Sequence, residues 1–266
     1  MIYFEVWAGL CNRLRGMASA YAFAQSIGEP LTVIWESDVN CNCRFDNIFT
    51  LNRGVDINIL YYDCMGTSFA KKIEHQKNKI HKKYIQSKCD IIYKEDPLNM
   101  DIDKLKKDVP GKNVYIKSFS YWYPSNSPFD FFTLKPAIKE KVDMLVDKCG
   151  TKKVGVHIRR TDHEICIHNS PTEAFVDAMK KESQDTIFYV ASDDIRERQK
   201  LEEIFGQSRI IYNNNAELSR GTEKGMEDAA IDLYALSGMS KILGSDTSSF
   251  TEVAGMITGI PVIVCK

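Results

Sequence analysis

Glycine-rich nucleotide loops are missing from this chain. Nowhere does it carry the GxGxxG spacing of a dinucleotide fingerprint or the GxxxxGK[ST] of a P-loop, so hydride transfer and P-loop chemistry both lose support. Long apolar runs are absent as well, and no bilayer-spanning segment is expected. Met1-Ile-Tyr-Phe-Glu5 reads as a first strand instead of a targeting segment, which places the protein in the cytoplasm as an expectation. A surplus of basic charge is also lacking: 35 Lys and Arg against 36 Asp and Glu leave a formal charge of -1. General nucleic-acid binders are usually strongly basic, so nucleic acid is not an expected partner. None of the eight cysteines sits in a CxxC pair, and in a chain of 266 residues reduced thiols are expected. Cys41-Asn-Cys43 is the one close pair, and without a second pair or a suitably spaced His it is a weak metal signal. Asp101-Ile-Asp103 lies in a polar, lysine-rich stretch and is not a persuasive metal-binding DxD. No internal repeat or low-complexity tract is present.

What is there alternates between strand and helix patterns, which predicts a layered α/β fold with parallel sheets. Residues 2–7 read as a strand and 12–27 as a helix stopped by Gly28 and Pro30. Residues 31–35 read as the next strand, completing a βαβ unit. Between 37 and 110 the pattern is less regular. There, residues 71–88 form a lysine-rich helical stretch with Glu74 as its acidic counterweight. Such a run is either a solvated face or a surface for an anionic acceptor or a membrane. Val114 to Phe119 reads as a strand. The aromatic segment Tyr121 to Phe132 fits either a sugar platform or packing across a domain junction. Pro136 starts a helix, since the first helical position needs no backbone donor. The second half then places strands at 154–158, 187–191, 209–212, 241–243 and 260–264, with helices at 172–182, 194–205, 225–238 and 247–257. The expected division is 1–133, an acceptor-side α/β domain, and 134–266, a nucleotide-sugar-binding α/β domain, with a cleft between them.

The most informative stretch is Val154 to Asp162. Val154, Val156 and Ile158 alternate to one face, and the strand ends in His157, Arg159, Arg160 and Asp162. Ligands in open α/β sheets sit at the carboxyl ends of strands. A guanidinium there offers phosphate oxygens a permanently charged planar fork. Three other segments share that address. Tyr189-Val-Ala-Ser-Asp-Asp194 brings Asp193 and Asp194, suited to ribose hydroxyls or a purine edge, or else to helix capping by Asp193. Leu243 to Phe250 carries Thr247, Ser248 and Ser249 into a helix N-terminus, where hydroxyls and free backbone donors bind phosphate. On the helix Glu227 to Leu236, Asp232 either faces the site or is a solvated helix residue. In the first half, Ala8 to Gly16 presents Gly9, Asn12, Arg13 and Arg15. It reads either as the seat for the far end of a phosphorylated ligand or as a tight turn with an Asn cap.

Taken in order, Gly9-Leu-Cys-Asn-Arg13, His157-Ile-Arg-Arg-Thr-Asp162, Ala191-Ser-Asp-Asp194, Asp228 to Ser237 and Gly244-Ser-Asp-Thr-Ser-Ser249 resemble a known family. It is the fucosyltransferase superfamily of α-1,6-fucosyltransferases, the rhizobial nodulation fucosyltransferase and protein O-fucosyltransferases. The resemblance spans nearly the whole second half and does not extend to residues 37–130. It implies a GT-B-like pair of Rossmann-type domains with parallel sheets facing across a cleft. It further implies GDP-fucose as donor, no metal or other cofactor, and inversion at the anomeric carbon. By position, Arg159 resembles the arginine on the leaving diphosphate, with Arg160 supporting the loop. His157 and Asp232 resemble residues that meet the guanosine, and Asp193 and Asp194 nucleoside contacts. Thr247 and Ser248, with Ser249 beside them, resemble the hydroxyls on the β-phosphate, and Asn12 and Arg13 those that approach from the other domain.

The acceptor's proton needs a base within hydrogen-bond reach. Asp162 and Glu164 are nearest in sequence, and Glu173 follows. The chain departs from the α-1,6-fucosyltransferases at His163, where they have Lys, and in the loop after it. Asp162 also fits a structural part, orienting Arg160. The reading is an enzyme moving fucose from GDP-fucose to a glycan hydroxyl, with peripheral membrane contact as a further expectation. Its rivals are a non-catalytic nucleotide-sugar-binding module and a glycosyltransferase using another nucleotide sugar.

Overall fold

The computed structural model describes residues 1–93 and 96–266. The chain forms two compact units, residues 1–133 with 220–226, and residues 134–219 with 227–266. In chain order the first half contains β1 (Ile2–Val6), α1 (Leu10–Ile27), β2 (Leu31–Ser37), α2 (Phe45–Ile48), β3 (Phe49–Leu51) and β4 (Ile57–Asp63). It continues with α3 (Phe69–Ser87), β5 (Ile91–Tyr93), α4 (Ile102–Asp108), β6 (Val114–Ser118) and β7 (Phe132–Leu134). The second half contains α5 (Pro136–Lys148), β8 (Lys153–Ile158), α6 (Glu164–Asn169), α7 (Thr172–Lys180), β9 (Ile187–Ser192) and α8 (Ile195–Phe205). After it come β10 (Ile210–Ile211), α9 (Glu223–Ser237), β11 (Ile242–Gly244), α10 (Ser249–Thr258) and β12 (Val262–Val264).

Each unit is built on a five-stranded parallel sheet. The first has the order β4-β2-β1-β6-β5 and the second β10-β9-β8-β11-β12. Central strands of such sheets are covered on both faces and read as near-continuous apolar runs. Leu31 to Trp35 is buried at every residue, and so is Val154 to Ile158. In the second unit Val154, Val156 and Ile158 pack with Phe175, Met179, Phe188, Val190 and Leu243. Gly155 lies on the strand between them because a Cβ there would meet Leu236 Cδ2 at 2.9 Å. Its small size lets α9 close on the sheet.

The second sheet runs outward from β8 in both directions, which is the doubly wound order of a Rossmann-type unit. Its switch point lies between β8 and β11, the strands that end in His157-Ile158 and in Gly244. The crevice at the carboxyl ends of those two strands is where such sheets take ligands.

The less regular stretch between 37 and 110 contains β4, β5 and α4, which the sequence pattern did not disclose. Asp101 is the N-cap of α4, accepting from the backbone of Asp103 at 2.9 Å and Lys104 at 3.3 Å. That accounts for Asp101-Ile-Asp103 as helix-start chemistry. Most rings of the aromatic segment after β6 belong to the core of the first unit and do not form an exposed sugar platform. Trp122, Phe129, Phe131 and Phe132 are buried in the first unit. Trp122 lies 5.1 Å from Phe23, and Phe132 lies 4.7 Å from Phe49.

Candidate functional site

At the end of β8 the backbone is pinned from both neighbouring strands. Ser245, just past β11, donates its hydroxyl to the His157 carbonyl at 3.1 Å and accepts from the Arg159 N–H at 3.0 Å. From the β9 side, Asp193 accepts from the Arg160 N–H at 2.7 Å and from the Thr161 hydroxyl at 2.6 Å. A carboxylate taking that many donors fixes a loop more firmly than turn propensity can. Asp193 therefore shapes the loop, while the N-cap of α8 is Asp194, which accepts from the Arg196 N–H at 2.9 Å. Capping by Asp193 is thereby corrected.

Within this frame the two arginines diverge. Arg159 places its Nε 3.1 Å from Asp193, and its terminal nitrogen meets Asp162. Its side chain is 17% exposed and that of Asp162 is 48% exposed, so the second carboxylate stands on the solvent side of the guanidinium. Arg160 turns inward. It donates to the Thr172 hydroxyl at 3.1 Å, lies 3.7 Å from buried Glu197 and sits over the Phe175 ring. Its part in this geometry is to hold the loop against α7 and α8. Glu164, the first residue of α6, is exposed.

His157 is buried, its ring stacked on Phe250 at 4.7 Å and its Nδ1 2.7 Å from the Thr251 hydroxyl. Burial and then the Arg159 charge push its pKa down to about 3, so the imidazole is neutral at pH 7. It links the end of β8 to the first turn of α10. Thr247, on the loop between β11 and α10, is exposed and has φ of 53°, a left-handed conformation uncommon for a residue with a side chain. The loop is braced by α6 and the segment after it. Asp246 donates its N–H to Ser170 Oγ at 2.9 Å, its carboxylate accepts from Asn169 at 2.9 Å, and Cys166 Sγ donates to the Asp246 carbonyl at 2.8 Å. Ser248 caps α10 without a hydrogen bond from its own hydroxyl, and Ser249 follows in the first turn. The first-turn N–H groups, which no intrahelical carbonyl takes, emerge here.

Asp232 is neither solvated nor open. It accepts from the Tyr189 hydroxyl at 2.6 Å and lies 3.5 Å from Arg198, all three being buried. Burial raises its pKa to about 6, against the pull of Arg198 and Tyr189. Arg198 also donates to the Ser192 carbonyl at 3.0 Å, anchoring the end of β9.

In the first unit, α1 opens on Gly9 with no side-chain cap, and Asn12 lies inside its first turn, which removes the Asn-cap reading. Asn12 Oδ1 is buried without a hydrogen-bond partner among the described residues. Arg13 is fully buried, donating to the Ala8 carbonyl at 2.7 Å and to the Glu36 carbonyl, with Asp38 2.8 Å away. It braces the carboxyl ends of β1 and β2. Cys41 and Cys43 are buried in the same unit, and desolvation pushes the Cys41 thiol up to about 11. Among the described residues no three His, Cys, Asp or Glu side chains group to hold a metal ion.

Ser245, Thr251, Phe250, Tyr189 and Arg198 escaped the sequence reading as site residues. Ser245 was readable as the first hydroxyl after β11. The others are ordinary helix and strand residues whose partners lie far along the chain.

No protein-family model matches this chain, and no curated protein is similar to it in sequence. Solved structures do share its fold. NodZ α-1,6-fucosyltransferase soaked with GDP-fucose superposes with a TM-score of 0.64 at 16% identity, over 96% of this chain and 92% of that one. A mutant of Arabidopsis thaliana FUT1 in complex with GDP gives 0.61 at 14% identity, over 100% of this chain and 70% of that one. POFUT1 in complex with GDP-fucose gives 0.59 at 11% identity, over 99% of this chain and 98% of that one. The architecture is thus the GT-B-like pair of Rossmann-type units.

Proposed function

We propose that this chain is a glycosyltransferase that moves fucose from GDP-fucose to a glycan hydroxyl, inverting the anomeric carbon and using no metal. The observation that carries the reading is Arg159, a guanidinium steered by Asp193 at the carboxyl end of β8, beside the hydroxyl-rich start of α10. Structures of the same fold hold GDP or GDP-fucose, which supports that nucleotide here.

The chemistry follows from where charge develops. As the bond between the anomeric carbon and the phosphate oxygen breaks, its electrons leave with GDP and the sugar becomes oxocarbenium-like. A fixed cation and free N–H groups at the diphosphate stabilise that charge without reorganising, the arrangement that gives electrostatic catalysis its size. Arg159 supplies the cation, and Thr247, Ser248 and Ser249 with the α10 N-terminus supply the donors. Asp162 pairs with Arg159 on its solvent side, and the incoming diphosphate takes its place. Arg160 keeps the loop in position. His157 and Asp232, buried beneath the surface, hold the ends of β8 and β9 in place with Asp193, and the nucleoside rests on the strand ends they support, beside Asp194. The acceptor hydroxyl attacks the face opposite the departing phosphate and gives its proton to a carboxylate. Glu164, exposed at the start of α6, is the base of choice.

A thermal-shift panel without added metal tests the donor, since a ligand of the folded state stabilises it in proportion to RT ln(1 + [L]/Kd). GDP and GDP-fucose raise the melting temperature, while UDP and ADP do not. Silence towards every guanine nucleotide overturns the reading. Donor hydrolysis by wild type and its loss in Arg159→Ala separate an enzyme from a binding module, which would retain GDP and hydrolyse nothing.

A further inference from the structure

The basic helix α3 carries an apolar line that nothing among the described residues covers. Phe69, Ile73, Ile80 and Tyr84 are 80%, 43%, 66% and 58% exposed. Their spacings of four, seven and four residues align them along one side of the helix. Lys72, Lys79 and Lys83 border that line on one flank and Lys77 and Lys88 on the other, all of them exposed. None of the five makes an ion pair among the described residues, although Lys88 lies over the Tyr84 ring at 5.4 Å.

The opposite face explains how the helix is held. Ile85 is buried against Ile34, Tyr62 and Tyr115. Lys82 reaches Glu36 at 2.6 Å and Glu5 at 3.5 Å, and Lys71 reaches Asp63 at 2.6 Å and Glu74 at 2.9 Å. Asn78 donates to the Asp63 carbonyl at 3.0 Å, and the Tyr62 hydroxyl lies 2.9 Å from His81. Folding thus uses Lys71 and Lys82 and leaves the other lysines outward. A merely solvated face would not run four large apolar side chains down its middle, because contiguous exposed apolar surface is rare on soluble monomers and marks an interaction site.

We infer that α3 docks this protein on an anionic lipid surface. The helix lies in the plane of the interface, Phe69, Ile73, Ile80 and Tyr84 enter among the acyl-chain ends, and the flanking lysines meet the headgroup phosphates. An apolar line between two basic flanks on a polar helix is the composition that binds in this way. No helix among the described residues is long and apolar enough to cross a membrane. A soluble acidic macromolecule would engage the lysines and leave Phe69 and Ile80 in water. The inference concerns α3 alone and is independent of the donor reading.

Co-sedimentation of the full chain with vesicles tests it. Wild type pellets with vesicles containing phosphatidylglycerol and stays in solution with pure phosphatidylcholine, and high salt releases it. The triple variant Lys72→Glu, Lys79→Glu, Lys83→Glu weakens binding by about a hundredfold or more, since each cation near an anionic surface contributes roughly fivefold. The double variant Phe69→Ser, Ile80→Ser weakens it at low salt as well, where lysines alone would suffice. Tyr84→Trp, a change confined to an exposed position, gains blue-shifted emission on adding the anionic vesicles. Failure of wild type to bind anionic vesicles at low salt overturns the proposal. So does binding that survives both variant sets, binding to soluble heparin with none to vesicles, or self-association through this face in sedimentation velocity.

Discussion

Asp193 holds Arg159 from within the unit, its carboxylate 3.1 Å from the arginine Nε, while also accepting from the two residues that follow Arg159 in the chain. One carboxylate thereby fixes both the loop and the direction of the guanidinium. Replacing Arg159 by Ala should lower kcat for fucosyl transfer by about a hundred- to a thousandfold, the cost of losing one preorganised charge-stabilising donor. Lys should recover little of that rate, because a single ammonium cannot meet Asp193 and a diphosphate through one planar fork. Steady-state kinetics with GDP-fucose checks both, and full activity in Arg159→Ala refutes the role.

On the proposed function, Asp162 competes with the diphosphate for the outer side of Arg159. Asp162→Asn should tighten GDP binding by about two- to fivefold, the range expected from an exposed ion pair. Transfer should continue. Calorimetric titration with GDP measures the first and a coupled GDP-release assay the second. An abolished kcat with unchanged GDP affinity would make Asp162 the base instead.

His157 ties stability to pH. The unfolded chain takes up a proton near the ordinary imidazole value of 6.5, and the folded chain refuses it until about pH 3. Stability therefore falls as pH drops through that window, with a slope of at most about 1.4 kcal/mol per pH unit from this one group. Urea unfolding of wild type and His157→Gln between pH 7 and pH 4 should show the smaller acid loss in the variant. Equal slopes would exclude the histidine as the source.

Asp232 acts in the opposite direction. Its folded pKa is pushed up to about 6 from a reference of 3.8, so the protonated folded state loses ground as pH rises between those values. Asp232→Asn should keep an acceptor for Tyr189 and remove that slope, while Asp232→Ala should cost about 3 kcal/mol by leaving Arg198 buried beside no carboxylate. Urea midpoints across the same pH range separate the two.

Gly244 ends β11 where a Cβ would overlap Thr251 Cγ2, the residue whose hydroxyl meets His157. Gly244→Ala should cost about 1–3 kcal/mol, as overpacking of a tight interior does. It should weaken GDP binding as well, because α10 must shift. Thermal unfolding and GDP titration of the variant check this, and an unaltered protein would show that the contact relaxes freely.

Much of the architecture was legible because its signals are local. The apolar run 154–158, the Pro136 start and the Gly28 stop each state an element without reference to distant residues, and all three stand where the pattern puts them. The stretch from 37 to 110 was less legible because β4 and β5 are the edge strands of the sheet. There, partial exposure breaks the apolar run. Asn12 in the first turn of α1 and Asp194 in place of Asp193 at the α8 cap show the usual limit, since a cap is decided by backbone angles at one residue.

By itself the amino-acid sequence determined the α/β class, the order of elements and the charged end of β8, because periodicity, punctuation and residue type act over a few neighbours. Only the tertiary structure decided what those charges do. Arg159 and Arg160 are adjacent and chemically identical, yet one faces Asp193 and Asp162 and the other Thr172 and Glu197. That difference comes from strands and helices brought together across 12 to 86 residues of chain, as the Arg160–Thr172 and Arg159–Ser245 bonds show. Long-range packing, not local preference, supplies the partners that turn a pair of arginines into one outward-facing cation and one brace.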